Sequence, residues 1–177
     1  ELIEWYRRQI ASLPITVKLN TEISDLASLE ADRVIVATGA KPRKLPVKGI
    51  ERSIEAIDYL LGNKAAEGEN VVVVGGGLTG CEIAYDLIRK GKKPVIVEMQ
   101  DDLMKVVGLC MANSSMLRDI FRHNKTEILL STKLSEITEK GVVLDGPDGR
   151  REIPADSVII SAGYIGGAPL AEKAGKR

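Results

Sequence analysis

The 177-residue chain has two cysteines and one histidine, too few for a disulfide framework or a zinc site. It lacks an excess of either charge, since 25 Lys and Arg face 25 Asp and Glu. Nucleic-acid binders usually carry a basic surplus, so the balance argues against a polyanionic partner. Long hydrophobic runs are also missing. The longest, Val71 to Cys81, is broken by four glycines and falls far short of the roughly 20 residues that a membrane helix needs. The N-terminus carries no signal-peptide pattern, so the expected location is the cytoplasm, and a chain opening on Glu1 reads as a piece of a longer one.

What is present is ordinary for a folded domain: 44% hydrophobic and 28% charged residues, which excludes disorder and collagen. The sequence also matches itself in two blocks. Thr16 to Leu26 lies on Glu127 to Ile137 at an offset of 111, and Ala31 to Gly39 lies on Ala155 to Gly163 at an offset of 124. Two blocks in the same order suggest a duplication. On this reading the helix Leu2 to Leu13 and a strand Val34 to Ala37 end a first, incomplete copy. Exposed edges of its truncated sheet would favour self-association.

The second copy is the fuller one. Val71 to Val74 is a β-branched run suited to a strand buried on both faces. Leu78 to Lys90 follows with helical spacing and a stop at Gly91, then a strand Pro94 to Glu98. A helix Ser115 to His123, a strand Ile128 to Leu130 and a strand Ser157 to Ser161 complete the alternation. Before that last strand, Asp145-Gly146 and Asp148-Gly149 separate two short runs, Gly141 to Leu144 and Arg151 to Ile153, as in a hairpin. Between the copies, the prolines in Lys41 to Gly49 require extended chain, and a short helix spans Ile54 to Leu61. The expected class is α/β: a Rossmann-like, mainly parallel sheet with an antiparallel β-hairpin excursion, plus a partial second unit at the N-terminus. The expected divisions are 1–65, 66–165 and 166–177.

Chemistry concentrates at Gly75-Gly76-Gly77-Leu78-Thr79-Gly80, where Gly75, Gly77 and Gly80 fit G-x-G-x-x-G between a strand and a helix. Gly75 allows a sharp turn, Gly77 lets backbone approach a pyrophosphate, and Gly80 allows close packing of helix on strand. The helix N-terminus then offers free N–H groups and its positive dipole end to phosphates. Glu98, 18 residues after Gly80, ends the next strand where a ribose-binding acid belongs. Asp101 and Asp102 follow it, and Lys105 is the only cation close by in sequence. A 2′-phosphate would be repelled, which favours NAD(H) over NADP(H). Glu82, in the first turn of the helix, reads equally well as a nicotinamide-ribose contact and as an acid favoured by the dipole. Cys81 and Cys110 read as packing or loop residues, His123 as a helix-end residue, and Trp5 and Tyr6 as core. The basic cluster Arg89 to Lys93 serves the end of a helix.

Val34 to Ala40, the proline-rich linker, Val71 to Glu82 and Val158 to Gly163 together resemble the two-dinucleotide flavoprotein reductases. Gly80-Cys81-Glu82, the Trp5-Tyr6 helix and Val97-Glu98-Met99 are most similar to the FAD/NAD-binding part of 2-enoate and 2,4-dienoyl-CoA reductases. The resemblance covers about residues 2 to 165. It implies that Thr38 and Gly39 end the FAD-side strand, that Ala162 and Gly163 end its NAD-side twin, and that FAD serves the full protein. It also implies FMN and an iron–sulfur cluster on an upstream barrel, so that NADH reduces an activated C=C bond. The remaining FAD-domain halves and that barrel are the implied partners, with neither nucleic acid nor membrane among them. The FAD-side glycine loop and the Gly-Asp segment expected after the NAD domain are absent from this sequence, and Ser161-Ala162 stands for Ala-Thr. The fragment alone is therefore expected to be inactive and weakly coloured. Two other readings stay open: a pyridine nucleotide-disulfide reductase fragment and a non-catalytic adenine-nucleotide module.

Overall fold

The computed structural model describes residues 1–106, 108–166 and 170, and groups the chain into two compact units, residues 1–38 with 167–177 and residues 39–166. The expected segment 166–177 lies outside the described residues apart from Gly166 and Leu170. In the first unit, helix α1 (Leu2–Ser12) precedes a 3-10 turn at Leu26–Ser28, where Asp25 accepts from the N–H of Ala27. α1 buries none of its residues, so Trp5 and Tyr6 are exposed rather than core, their rings in T-shaped contact with centroids 5.1 Å apart. The strand expected at Val34 to Ala37 is not formed, and Ile35 is 90% exposed. β-branched residues favour a strand only against a partner ladder and a packed face, and among the described residues this segment has neither.

The second unit contains the remaining elements in order: β1 (Ala40–Pro42), β2 (Ile54–Glu55), α2 (Ala56–Leu60), β3 (Asn70–Val74), α3 (Leu78–Arg89), β4 (Lys93–Val97), α4 (Met111–His123), β5 (Glu127–Leu129), β6 (Lys133–Ile137), β7 (Gly141–Gly146), β8 (Gly149–Pro154), β9 (Ser157–Ile160) and β10 (Tyr164–Gly166). Residues 39–65, expected on the far side of a division at 65, pack within this unit.

Five parallel strands lie in the order β2-β9-β3-β4-β5. The alternation within β3 sorts its valines onto two cores. Val71 and Val73 meet Cys81, Ile83, Ala84 and Leu87 of α3 and Leu117 and Phe121 of α4. Val72 and Val74 meet Leu134, Val142 and Leu144 of an antiparallel β6-β7-β8 meander, with Leu45, Val47 and Ile50 of the linker beside them. The second unit is thus helices, parallel sheet and meander, in three layers. The hairpin expectation is met by β7 and β8, but β6 adds a third strand that the sequence did not advertise. Its five residues, Lys-Leu-Ser-Glu-Ile, carry a bulge between Leu134 and Glu136 that breaks the alternation. A two-stranded ribbon of β1 and β10 was likewise unforeseen.

Candidate functional site

β3 pairs with β9 on one side and β4 on the other. The chain leaves β3 for β4 through α3, so the sheet order reverses beside the carboxyl end of β3. Open α/β sheets bind ligands at such a point. A cleft of about 750 Å³ opens there, lined by the ends of β3, β4 and β9, the glycine loop, the linker and the start of β6.

The three glycines of the motif are constrained differently. Gly75 adopts φ +110, and a Cβ there would lie 2.2 Å from the Ser161 carbonyl oxygen. At Gly80 a Cβ would lie 1.9 Å from the Gly75 carbonyl oxygen, which is the close approach of helix to strand. Gly77, the N-cap of α3, has nothing within 4 Å of its Cβ position and lines the cleft. It therefore marks the open side of the cradle. The first N–H groups of a helix have no intrahelical acceptor, and those following Gly77 are available to an anion. These residues fit the pyrophosphate of a dinucleotide.

Glu98 faces the same loop. Its Oε2 accepts from the N–H of Gly76 at 2.5 Å and its Oε1 from the N–H of Gln100 at 2.8 Å. Each carboxylate oxygen keeps a further lone pair for a ligand hydroxyl. Gly75, Gly76, Gly77, Leu78, Thr79, Glu98, Ala162 and Gly163 all line the cleft. Gly80 supports it from behind. Glu82 does not line it and is exposed on α3. Thr38 falls in the first unit, and Gly39 opens the second at φ +78 ahead of β1. Neither lines the cleft.

Three features escaped the sequence. Arg118 of α4, distant in the chain, forks onto Asp102 at 2.7 and 2.9 Å, so Lys105 is not the only cation near the acids. Lys105 itself bonds Asp101 at 2.7 Å. Both acids expected to repel a 2′-phosphate are thus paired with cations. Arg43 and Lys133 line the cleft without an ion pair among the described residues. Only folding brings these groups together, and no local pattern announces them.

The cysteines separate. Cys81 is fully buried, and burial pushes its thiol up to about 12. Cys110 is exposed in the loop that caps α4, the loop alternative of the expectation, and the N–H groups of Asn113 and Ala112 hold its pKa below the usual thiol value. His123 ends α4 as expected. Among the described residues no cluster could hold a metal ion, and no helix is long and apolar enough to cross a membrane.

Residues 6–177 match the pyridine nucleotide-disulphide oxidoreductase family. The cinnamate reductase of Clostridium sporogenes is 39% identical over 167 residues, covering 93% of this chain and 25% of that protein. The NADH oxidase of Thermoanaerobacter brockii is 32% identical over 90% of this chain and 26% of that protein. Among solved structures, 2-naphthoyl-CoA reductase superposes with a TM-score of 0.74 at 26% identity, over 97% of this chain and 26% of that one. The chain spans about a quarter of the length of these relatives. Strand, glycine loop, helix and following acid agree with this match, and the chain belongs to the pyridine nucleotide-disulphide oxidoreductase family.

Proposed function

We propose that this chain is the NADH-binding part of a flavin-dependent oxidoreductase that reduces an activated C=C bond of an enoate or enoyl-CoA. The observation that carries the reading is the Glu98 carboxylate, bonded to the N–H of Gly76. Ribose acceptor and pyrophosphate cradle are thereby one preorganised unit. Cofactor binding needs such positioning more than it needs reactive side chains.

Bound NADH would supply the hydride that a flavin accepts. The chain's own residues bind and orient. The N–H groups after Gly77 hold the pyrophosphate, Glu98 accepts from the adenosine ribose, and Ala162 and Gly163 line the cleft beyond the end of β9. Thr38 and Gly39 would face FAD. FAD, and FMN with an iron–sulfur cluster on an upstream barrel, would belong to the full protein. The C=C substrate class is supported by the names of two relatives, cinnamate reductase and 2-naphthoyl-CoA reductase.

Calorimetric titration tests the reading. NADH should bind one per chain with a dissociation constant well below 1 mM, roughly −4 kcal/mol or better. ADP binding as tightly as NADH would favour a non-catalytic adenine-nucleotide module. No heat with NADH or ADP would overturn nucleotide binding altogether.

A further inference from the structure

The segment after Glu98 is folded back onto the glycine loop, and one side chain on α4 holds it there. The N–H of Met104 donates to the Gly76 carbonyl at 2.7 Å, and the thiol of Cys81 donates to the same oxygen at 3.4 Å. The Leu103 side chain sits 2.5 Å from where a Gly76 Cβ would be. Leu103 and Met104 are both buried. Gly76 is therefore gripped at its N–H by Glu98, at its carbonyl by Met104 and Cys81, and on its Cα face by Leu103.

Met104 adopts a left-handed backbone, φ +49, a conformation that costs a non-glycine residue energy and persists only where its surroundings enforce it. Arg118 supplies that enforcement. Besides its fork on Asp102, it donates from Nη2 to the Leu103 carbonyl at 2.7 Å, and Asp102 accepts in turn from the N–H of Leu103 at 2.9 Å. Three donor contacts from one planar guanidinium thus set the residue pair that leads into Met104. An ammonium cannot reproduce that geometry. Arg118 does not line the cleft, whereas Asp102 and Met104 do.

We infer that Arg118 is a positioning residue for nucleotide binding, acting through Asp102, Leu103 and Met104 to hold the Gly76 amide and Glu98 in their binding geometry. The inference rests on the NADH reading above. It separates from a purely electrostatic role because Asp102 is a negative charge in a cleft meant for a pyrophosphate. Electrostatics alone says that neutralising Asp102 tightens binding. Positioning says that it weakens binding, because the fork is lost.

The test is NADH titration of the whole chain, wild type beside Arg118→Met, Arg118→Lys, Asp102→Asn and the Arg118→Met/Asp102→Asn double variant, with amide hydrogen exchange of Gly76 and Met104 as a ligand-free readout. Arg118→Met and Asp102→Asn should each weaken NADH about tenfold. The double variant should be no worse than either, as expected of residues acting as one unit. Arg118→Lys should recover only part of the loss. Exchange at Gly76 and Met104 should quicken in all four variants, while melting temperatures stay within a few degrees, because an exposed ion pair contributes little to stability. Tighter binding by Asp102→Asn, full recovery by Arg118→Lys, or unchanged exchange at Gly76 would each overturn the inference. If Arg118→Met does not fold, Arg118→Lys and Asp102→Asn decide the matter by the same criteria. A wild type that binds no NADH removes the underlying reading, an outcome distinct from variants that bind as wild type does.

Discussion

Glu98 and Gly76, 22 residues apart, are joined by a 2.5 Å hydrogen bond from the glycine N–H to the carboxylate. The acid at the end of β4 therefore shapes the loop at the end of β3 before any ligand arrives. Glu98→Ala should weaken NADH binding by about 10- to 150-fold, since a hydrogen bond to a charged group contributes roughly 1.5–3 kcal/mol. NADPH should bind the wild type less well than NADH and should lose less on the substitution, because a repulsion is removed. Titration of both nucleotides into both proteins checks this. With Asp101 and Asp102 already paired, wild-type NADPH binding equal to that of NADH would point to Lys133 as the reader of the phosphate.

Gly80 and Gly77 should fail in opposite ways. In Gly80→Ala the new methyl meets the Gly75 carbonyl oxygen, at 1.9 Å in the unrelaxed structure. Overpacking of this kind costs about 1–3 kcal/mol, visible as a lowered midpoint in urea. Gly77→Ala has room for its methyl and should lower stability only by the poorer capping of alanine at the N-cap, about 1 kcal/mol or less. That methyl borders the cleft, so NADH binding should fall by more than the small drop in the urea midpoint accounts for.

The two thiols should label at very different rates. Cys110 is exposed and its pKa is lowered by N–H groups at the start of α4, whereas Cys81 is buried with its thiol pushed up to about 12. The thiolate is the reactive form. One equivalent of an aromatic disulfide reagent should react promptly near pH 8, and the second only in denaturant. Prompt reaction of both would show that Cys81 is not shielded between α3 and the sheet.

Asp156 ties the start of β3 to the turn before β9. Its carboxylate accepts from the N–H groups of Asn70 at 2.8 Å and Glu69 at 2.9 Å. The Asn70 amide, first among its partners, holds its pKa below the usual carboxylate value. A depressed folded pKa gives stability that is complete above the unfolded value, about 3.9, and is lost as pH falls through the folded one. Asp156→Ala should therefore be less stable than wild type near pH 7, and the gap should close below about pH 4. Denaturant melts across that range provide the check; a gap that does not narrow as pH falls below about 4 would show that the carboxylate's charge is not the cause.

Local chemistry determined much of this protein from sequence alone. The valines of β3, the three glycines with their spacing, the amphipathic α3 and the acid 18 residues on each act over short range, through burial, turn sterics and helix periodicity, so the dinucleotide-binding unit was legible. Residues whose structure depends on distant partners were not. Val34 to Ala37 has strand composition but no ladder among the described residues, and stays unpaired. Trp5 and Tyr6 have core composition and lie exposed. β1 and β10 form a ribbon although 121 residues lie between them, and β6 becomes a strand only because β7 offers it a register. The Arg118 fork on Asp102 belongs to the same class. Helix spacing predicts which face of α4 is buried, but only the packing of α4 beside α3 decides which acid that arginine meets. A side chain's partner is set by the tertiary arrangement of the elements, and that arrangement alone turns a loop after β4 into a brace for the loop after β3.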